Sequence, residues 1–191
     1  MQPPRRAQVA GQAGICAGVL YFIQGVILLF EPRSGGWLYV VYSLFAAAVV
    51  LTFLALRGLH AWQRGRDGRF GLTGFYISSI GLGFLAVTAL VRIASGREPL
   101  DVLFALGFLL AIVGYLLFGV ASLRAAMLPR WSAPLPLLGA IGAIVLQDKH
   151  GAGILMGVVW ALLGFVLVRG AREPRAARSA VAGRRRSPRS R

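Results

Sequence analysis

Long uncharged apolar runs alternate along the chain with short clusters of charge. Six such runs stand out, at residues 9–30, 37–56, 71–93, 102–122, 131–147 and 152–168. The segments between them, EPRSGG (31–36), RGLHAWQRGRDGRF (57–70), ASGREPLD (94–101), LRAAMLPR (123–130) and DKHG (148–151), combine charge with glycine or proline. Those two residues punctuate helices and favour turns. An uncharged run of about 18 residues or more is long enough for a transmembrane helix, because about 20 residues rising 1.5 Å each cross the hydrocarbon layer. The pattern predicts an all-α integral membrane protein, one six-transmembrane-helix bundle over residues 9–168. Residues 1–8 precede it and a basic tail, 169–191, follows. The last two runs, at about 17 apolar residues each, sit at the short end of the spanning range. A re-entrant hairpin is the alternative there. Two full spans are preferred because only then do the loop charges alternate consistently.

Composition agrees with the pattern. The chain is 57% hydrophobic and 14% charged, against roughly 45–50% and about 25% in soluble domains. A signal peptide is not expected. MQPPRR is a plausible basic leader, but the apolar run behind it continues to Phe30, longer than a leader core of about 7–15 residues. The run is read as a retained first helix.

Charge then orients the bundle. With six spans, seventeen of the 21 cations fall on the side that holds both termini. Only Arg33, Arg92, Arg97 and Lys149 fall on the other. Cytoplasmic loops carry the excess of Lys and Arg, so both termini are expected in the cytoplasm of a cell whose inner membrane holds the protein, most simply a bacterial one. The tail, ending GRRRSPRSR, is rich in Arg, Ala, Ser and Pro and is expected to lack fixed structure. It holds no aromatic residue that could stack on bases, so it suits an anionic leaflet rather than nucleic acid. Arg64, Arg66 and Arg69 in the elbow, with Arg184, Arg185 and Arg186 in the tail, are the expected contacts to anionic lipid. Trp62 in the same elbow suits the headgroup interface.

Small residues recur at helical spacing. Gly11, Gly14, Gly18 and Gly25 share a face of the first helix, and Gly71, Gly74, Ser78 and Gly81 a face of the third. Gly153 and Gly157 make a small-xxx-small pair on the last. Such faces let helix backbones approach closely, and Gly14, Gly18, Gly74, Ser78, Gly153 and Gly157 are the expected packing positions. The even helices end alike, in FLALRG, GVASLRA and FVLVRG, which suggests three in–out–in hairpins.

Chemistry is sparse. No ionisable residue stands near the middle of any run, which disfavours a proton-coupled pump or a voltage sensor. There is no G-x-S-x-G, H-E-x-x-H or P-loop motif, so no enzyme is expected. His60 and His150 fall on opposite sides of the membrane, and neither a metal nor a cofactor is expected. Asp148, Lys149 and His150 are read as a solvated turn. Tyr21, Gln24, Tyr76 and Tyr115 are the candidates for a polar lining inside the bundle. Gln24 carries most interest, since a primary amide in lipid must find a partner. Two functions remain. One is a non-enzymatic membrane component that binds lipid, other membrane proteins or a second copy of itself. The alternative is a small-solute transporter or channel that lacks a buried ionisable coupling residue. A wet cavity lined by those four residues would favour the second, and a closed, dry bundle the first.

Overall fold

The structure is a computed structural model. It describes residues 3–30, 35–63, 68–96, 101–125, 129, 131–132, 134–146 and 151–185, the side chains of 3–6, 35, 101 and 171–185 excepted. The protein is all-α. Six helices follow in order: α1 (Pro3–Leu29), α2 (Gly35–Gln63), α3 (Gly68–Ser95), α4 (Asp101–Ala125), α5 (Leu135–Leu146) and α6 (Ala152–Arg185). Five of them are long and apolar enough to cross a membrane. Residues such as Val19, Phe22, Val50, Leu54, Ile80, Leu109 and Val145 point outward and exposed, as a lipid-facing surface requires. The chain is a multi-pass membrane protein.

Each helix packs against its neighbours in sequence, and α1 packs against α6, so the six form a closed ring. The registers show that every adjacent pair is antiparallel. Between α2 and α3, Tyr42 meets Arg92 and His60 meets Phe75. Between α3 and α4, Gly74 lies against Phe118 and Gly81 against Ala111. Between α5 and α6, Gly139 lies against Val159 and Gly142 against Leu155. Between α1 and α6, Gly11 lies against Val168 and Gly25 against Ile154. The start of α1 and residue 168 of α6 therefore lie at the same end of the ring, here called the base. The opposite end, where α1 meets α2 and α5 meets α6, is the top.

Two seams are lined by glycine, and their close approach explains the composition. Along α1–α6, a Cβ on Gly18 would stand 2.5 Å from the Ala161 nitrogen and the Gly157 oxygen, and one on Gly14 would stand 3.0 Å from the Gly164 Cα. Along α3–α4, a Cβ on Gly74 would stand 2.6 Å from the Phe118 nitrogen, while Ser78 faces Gly114. Any larger residue would meet backbone, so dispersion contacts between main chains replace side-chain interdigitation.

Two boundaries correct the expectations. The fifth segment was expected to span from residue 131, but α5 begins at Leu135 and has 12 residues. At 1.5 Å per residue it is about 18 Å long, short of a hydrocarbon core of about 30 Å. Pro134 and Pro136 set its start, because proline is accepted in a first helical turn and disrupts a helix further in. Ahead of it the chain enters the bundle through two turns, closed by Ser132 N–H to the Pro129 carbonyl at 2.9 Å and Leu135 N–H to the Ser132 carbonyl at 3.2 Å. Ser132 is fully buried, in keeping with non-helical backbone being covered by protein at membrane depth. The second correction is the tail. It was expected to lack structure from residue 169, yet α6 continues to Arg185. Ala and Arg are strong helix formers, and extending an existing helix needs no new nucleus. Residues 186–191, Arg186 among them, lie outside the described residues.

Candidate functional site

The ring encloses a pocket to which all six helices contribute. Its lining includes Tyr21 and Gln24 of α1, Phe45 of α2, Leu82 and Leu85 of α3, Phe104 and Tyr115 of α4, Ala143 of α5 and Met156 of α6. The helical faces explain this convergence. On α4, Phe104, Phe108, Ala111 and Tyr115 recur at spacings of three and four, so all sit on one side. The cavity measures about 70 Å³, about half of an apolar cavity of roughly 150 Å³ that accommodates benzene. Its depth follows from the registers: Tyr115 lies at mid-helix, whereas Gln24, Phe104 and Ala152 lie near the top. Towards the base the bundle interior holds Leu56, Leu59, Phe118, Leu163 and Leu167, all fully buried.

The walls are aromatic and ordered by ring contacts. Tyr21 meets Phe45 edge-on at 6.2 Å between centroids, Phe45 meets Phe104 at 6.3 Å, and Tyr115 meets Trp160 edge-on at 5.7 Å. Such pairs are worth about 0.5–1.5 kcal/mol beyond the area they bury. Three of the four residues proposed from sequence, Tyr21, Gln24 and Tyr115, meet in this one pocket. Tyr76 does not. It is 57% exposed on the outer face of α3, where a tyrosine is tolerated at the lipid interface.

Most other polar groups in the spans are satisfied within their own helix. The hydroxyls of Ser78, Ser79 and Thr88 donate to the carbonyls of Gly74, Phe75 and Phe84, four residues back, a common outlet for such side chains. Several buried atoms among the described residues differ. Thr52 Oγ1, Gln63 Nε2, the Tyr115 hydroxyl and Trp160 Nε1 have no hydrogen-bond partner. Leaving a buried donor unsatisfied costs about 1–3 kcal/mol, so these four need a physical reason. Gln63 is also tied across the ring, since its Oε1 accepts a hydrogen bond from the Ser122 hydroxyl at 3.1 Å. Sequence reading did not single out Gln63 or Trp160. A glutamine at the edge of a charged elbow looks solvated, and a mid-helix tryptophan looks like packing.

The remaining expected sites fall as follows. All six packing positions lie at helix seams, Gly153 against Gly25 and Gly157 against Gly18 and Phe22. Gly107, Gly114 and Gly164, which supply the facing surfaces, were not foreseen. Arg69 is exposed in the first turn of α3, at the base. Arg64 and Arg66 lie outside the described residues, and Arg184 and Arg185 are in the last turn of α6. Trp62 does not lie free on the surface: it is half-buried, with Gly170 of α6 beside its ring. Asp148, Lys149 and His150 lie outside the described residues. Among the described residues no cluster of His, Cys, Asp or Glu could hold a metal ion.

The six-helix ring with its aromatic-walled pocket is that of a multi-pass membrane protein. The chain is similar to a curated protein, the Na(+)/H(+) antiporter NhaA of Thermobifida fusca (strain YX), 29% identical over 172 residues. That stretch is 87% of this chain and 39% of the antiporter, so the chain spans about two fifths of the length of the curated relative it matches. No protein-family model matches the chain, and no solved structure does.

Proposed function

We propose that this protein passes a small uncharged solute across the membrane by way of its central pocket, as a transporter or channel without an ionisable coupling group. The observation that carries this reading is the pocket itself, to which every helix of the ring contributes and whose lining includes Tyr115 and Gln24 beside aromatic residues. A component serving only to bind neighbouring proteins or lipids has no need of such an interior. The likeness to a transporter points the same way.

Exchange of sodium for protons is a second reading, favoured by the name of the matched antiporter. Proton relays through membranes use Asp, Glu or His. Here no Asp or Glu occurs within residues 7–29, 36–63, 68–95, 102–125, 135–146 or 152–170, and the one histidine in those ranges, His60, stands in the last turn of α2 at the base, stacked on Phe75. Cation exchange through these spans would therefore lack its usual carboxylate, and the neutral solute is the better fit.

The same reading sets the base of the ring, with both termini, at the cytoplasmic face of a bacterial inner membrane. Arg64, Arg66, Arg69, Arg184, Arg185 and Arg186 then lie towards anionic headgroups, where each is worth about 1 kcal/mol.

The test is flux into vesicles that contain the full chain. Urea, formamide and glycerol uptake are followed by light scattering, for the wild type and for Ala143→Trp, which fills the pocket. Uptake should be several-fold above protein-free vesicles for at least the smallest solute and should return to background in the variant. Identical rates with and without protein would end the proposal. Sodium-dependent collapse of a pH gradient in the same vesicles would establish the second reading instead.

A further inference from the structure

The four unpartnered donors share a direction. Thr52 stands seven residues beyond Phe45 on α2, and Trp160 seven beyond Gly153 on α6, where Phe45 and Gly153 both line the pocket. On α4, Ser122 stands seven beyond Tyr115, itself a lining residue. A spacing of seven is close to two full turns, so each pair shares a helix face and lies about 10.5 Å apart along the axis. The faces that line the pocket therefore continue towards the base, and they carry the Thr52 hydroxyl, the Trp160 N–H and, through Ser122, the Gln63 amide. All of these side chains are buried: Thr52, Gln63 and Ser122 at 0% exposure and Trp160 at 4%. Every one of the four unpartnered groups can donate a hydrogen bond, and the tryptophan N–H can do nothing else.

We infer that these donors continue the pocket as a track for water-sized, neutral hydrogen-bond acceptors, running from Tyr115 and Trp160 past Thr52 to the Gln63–Ser122 tie at the base. The inference rests on the pocket being a solute site and narrows what the solute is. Its size is bounded by a cavity of about 70 Å³. Its chemistry is bounded by these groups, each of which can donate to a carbonyl or water oxygen and none of which carries a charge to offset that of a cation. A small anion would also accept these hydrogen bonds. Without a charged partner inside the bundle, however, it would bear the full cost of leaving water. Leu56, Leu59, Phe118 and Leu163 close the track in this conformation, and the Gln63–Ser122 hydrogen bond across the ring holds that closure from the base.

The experiment compares Thr52→Val and Trp160→Phe with the wild type and with Tyr76→Phe, whose side chain faces outward. Osmotic water permeability and urea or formamide uptake are measured in vesicles holding the full chain, alongside thermal unfolding in detergent. Thr52→Val removes a hydroxyl at nearly constant shape, and Trp160→Phe removes the N–H together with part of the buried ring volume. The track predicts a three- to tenfold loss of flux in Thr52→Val with unfolding temperature unchanged or raised, a similar loss in Trp160→Phe with a lowered unfolding temperature, and no loss for Tyr76→Phe. If the donors are only buried structural atoms, the two variants will keep full flux, and the inference fails even where Ala143→Trp still blocks and the pocket reading stands. If Ala143→Trp also has no effect, both fall together. Chloride or fluoride current in planar bilayers, abolished by Trp160→Phe, would overturn the neutral-solute assignment.

Discussion

Individual glycines decide how closely this ring packs. Gly18 faces backbone atoms of Gly157 and Ala161, whereas a Cβ on Gly83 would meet nothing within 4 Å. Gly18→Leu should therefore lower stability by about 1–3 kcal/mol or more, and Gly83→Leu should stay within about 0.5 kcal/mol. Thermal unfolding in detergent separates the two, and equal midpoints would show that the α1–α6 seam does not depend on close approach. Tyr115 gives a second contrast. Removing its unpartnered hydroxyl in Tyr115→Phe should leave stability unchanged or raise it by about 1 kcal/mol, while solute flux falls. The small-residue faces of α1 and α3 were legible in the sequence as regular spacings, because a stripe of glycines marks the side that touches another helix. Which helix it touches was not legible. Gly107, Gly114 and Gly164 have meaning only once α4 and α6 are placed opposite. Tyr76 shows the matching limit, since a tyrosine in an apolar run looks the same whether it faces lipid or the interior.

Element boundaries followed hydropathy at some ends and departed from it at others. α2 runs on to Gln63 and α3 starts at Gly68, beyond the apolar runs, because hydropathy marks the edge of the hydrocarbon and a helix continues through the headgroup layer. The start of α5 at Leu135 follows from Pro134 and Pro136, because proline is accepted in a first helical turn and disrupts a helix further in. The link from α5 to α6 depends on Gly151, with φ at 90° and its carbonyl accepting from Leu155 N–H at 3.1 Å. An L side chain at positive φ costs about 1–2 kcal/mol. Gly151→Ala should thus destabilise the protein by about that amount, and an unchanged unfolding midpoint would show that this turn relaxes freely.

For the whole molecule, the antiparallel register of α1 against α6 puts the start of α1 and residue 168 of α6 on one side. In the proposed orientation the arginine-rich side is the cytoplasmic one. A cytoplasm-only reporter fused after Arg191 should be active, and one fused after Gly35 silent. The reverse pattern would invert the protein. Deleting residues 183–191 should leave insertion intact and weaken attachment of the base to anionic vesicles, with a dependence on salt that follows a screening length of about 8 Å. Equal attachment at high and low salt would show that the tail does not act by charge. The closure of the ring between its first and last helices also has a consequence in time. The glycine face of α1 has no partner until α6 has been made, some 140 residues later in the chain, which is roughly 7–28 s at about 5–20 residues per second. Through that interval the nascent protein is an open arc with a groove along its first helix. A chain stopped at residue 151 stays in that condition permanently, so membrane quality-control proteases should clear it faster than the full chain in a pulse-chase comparison.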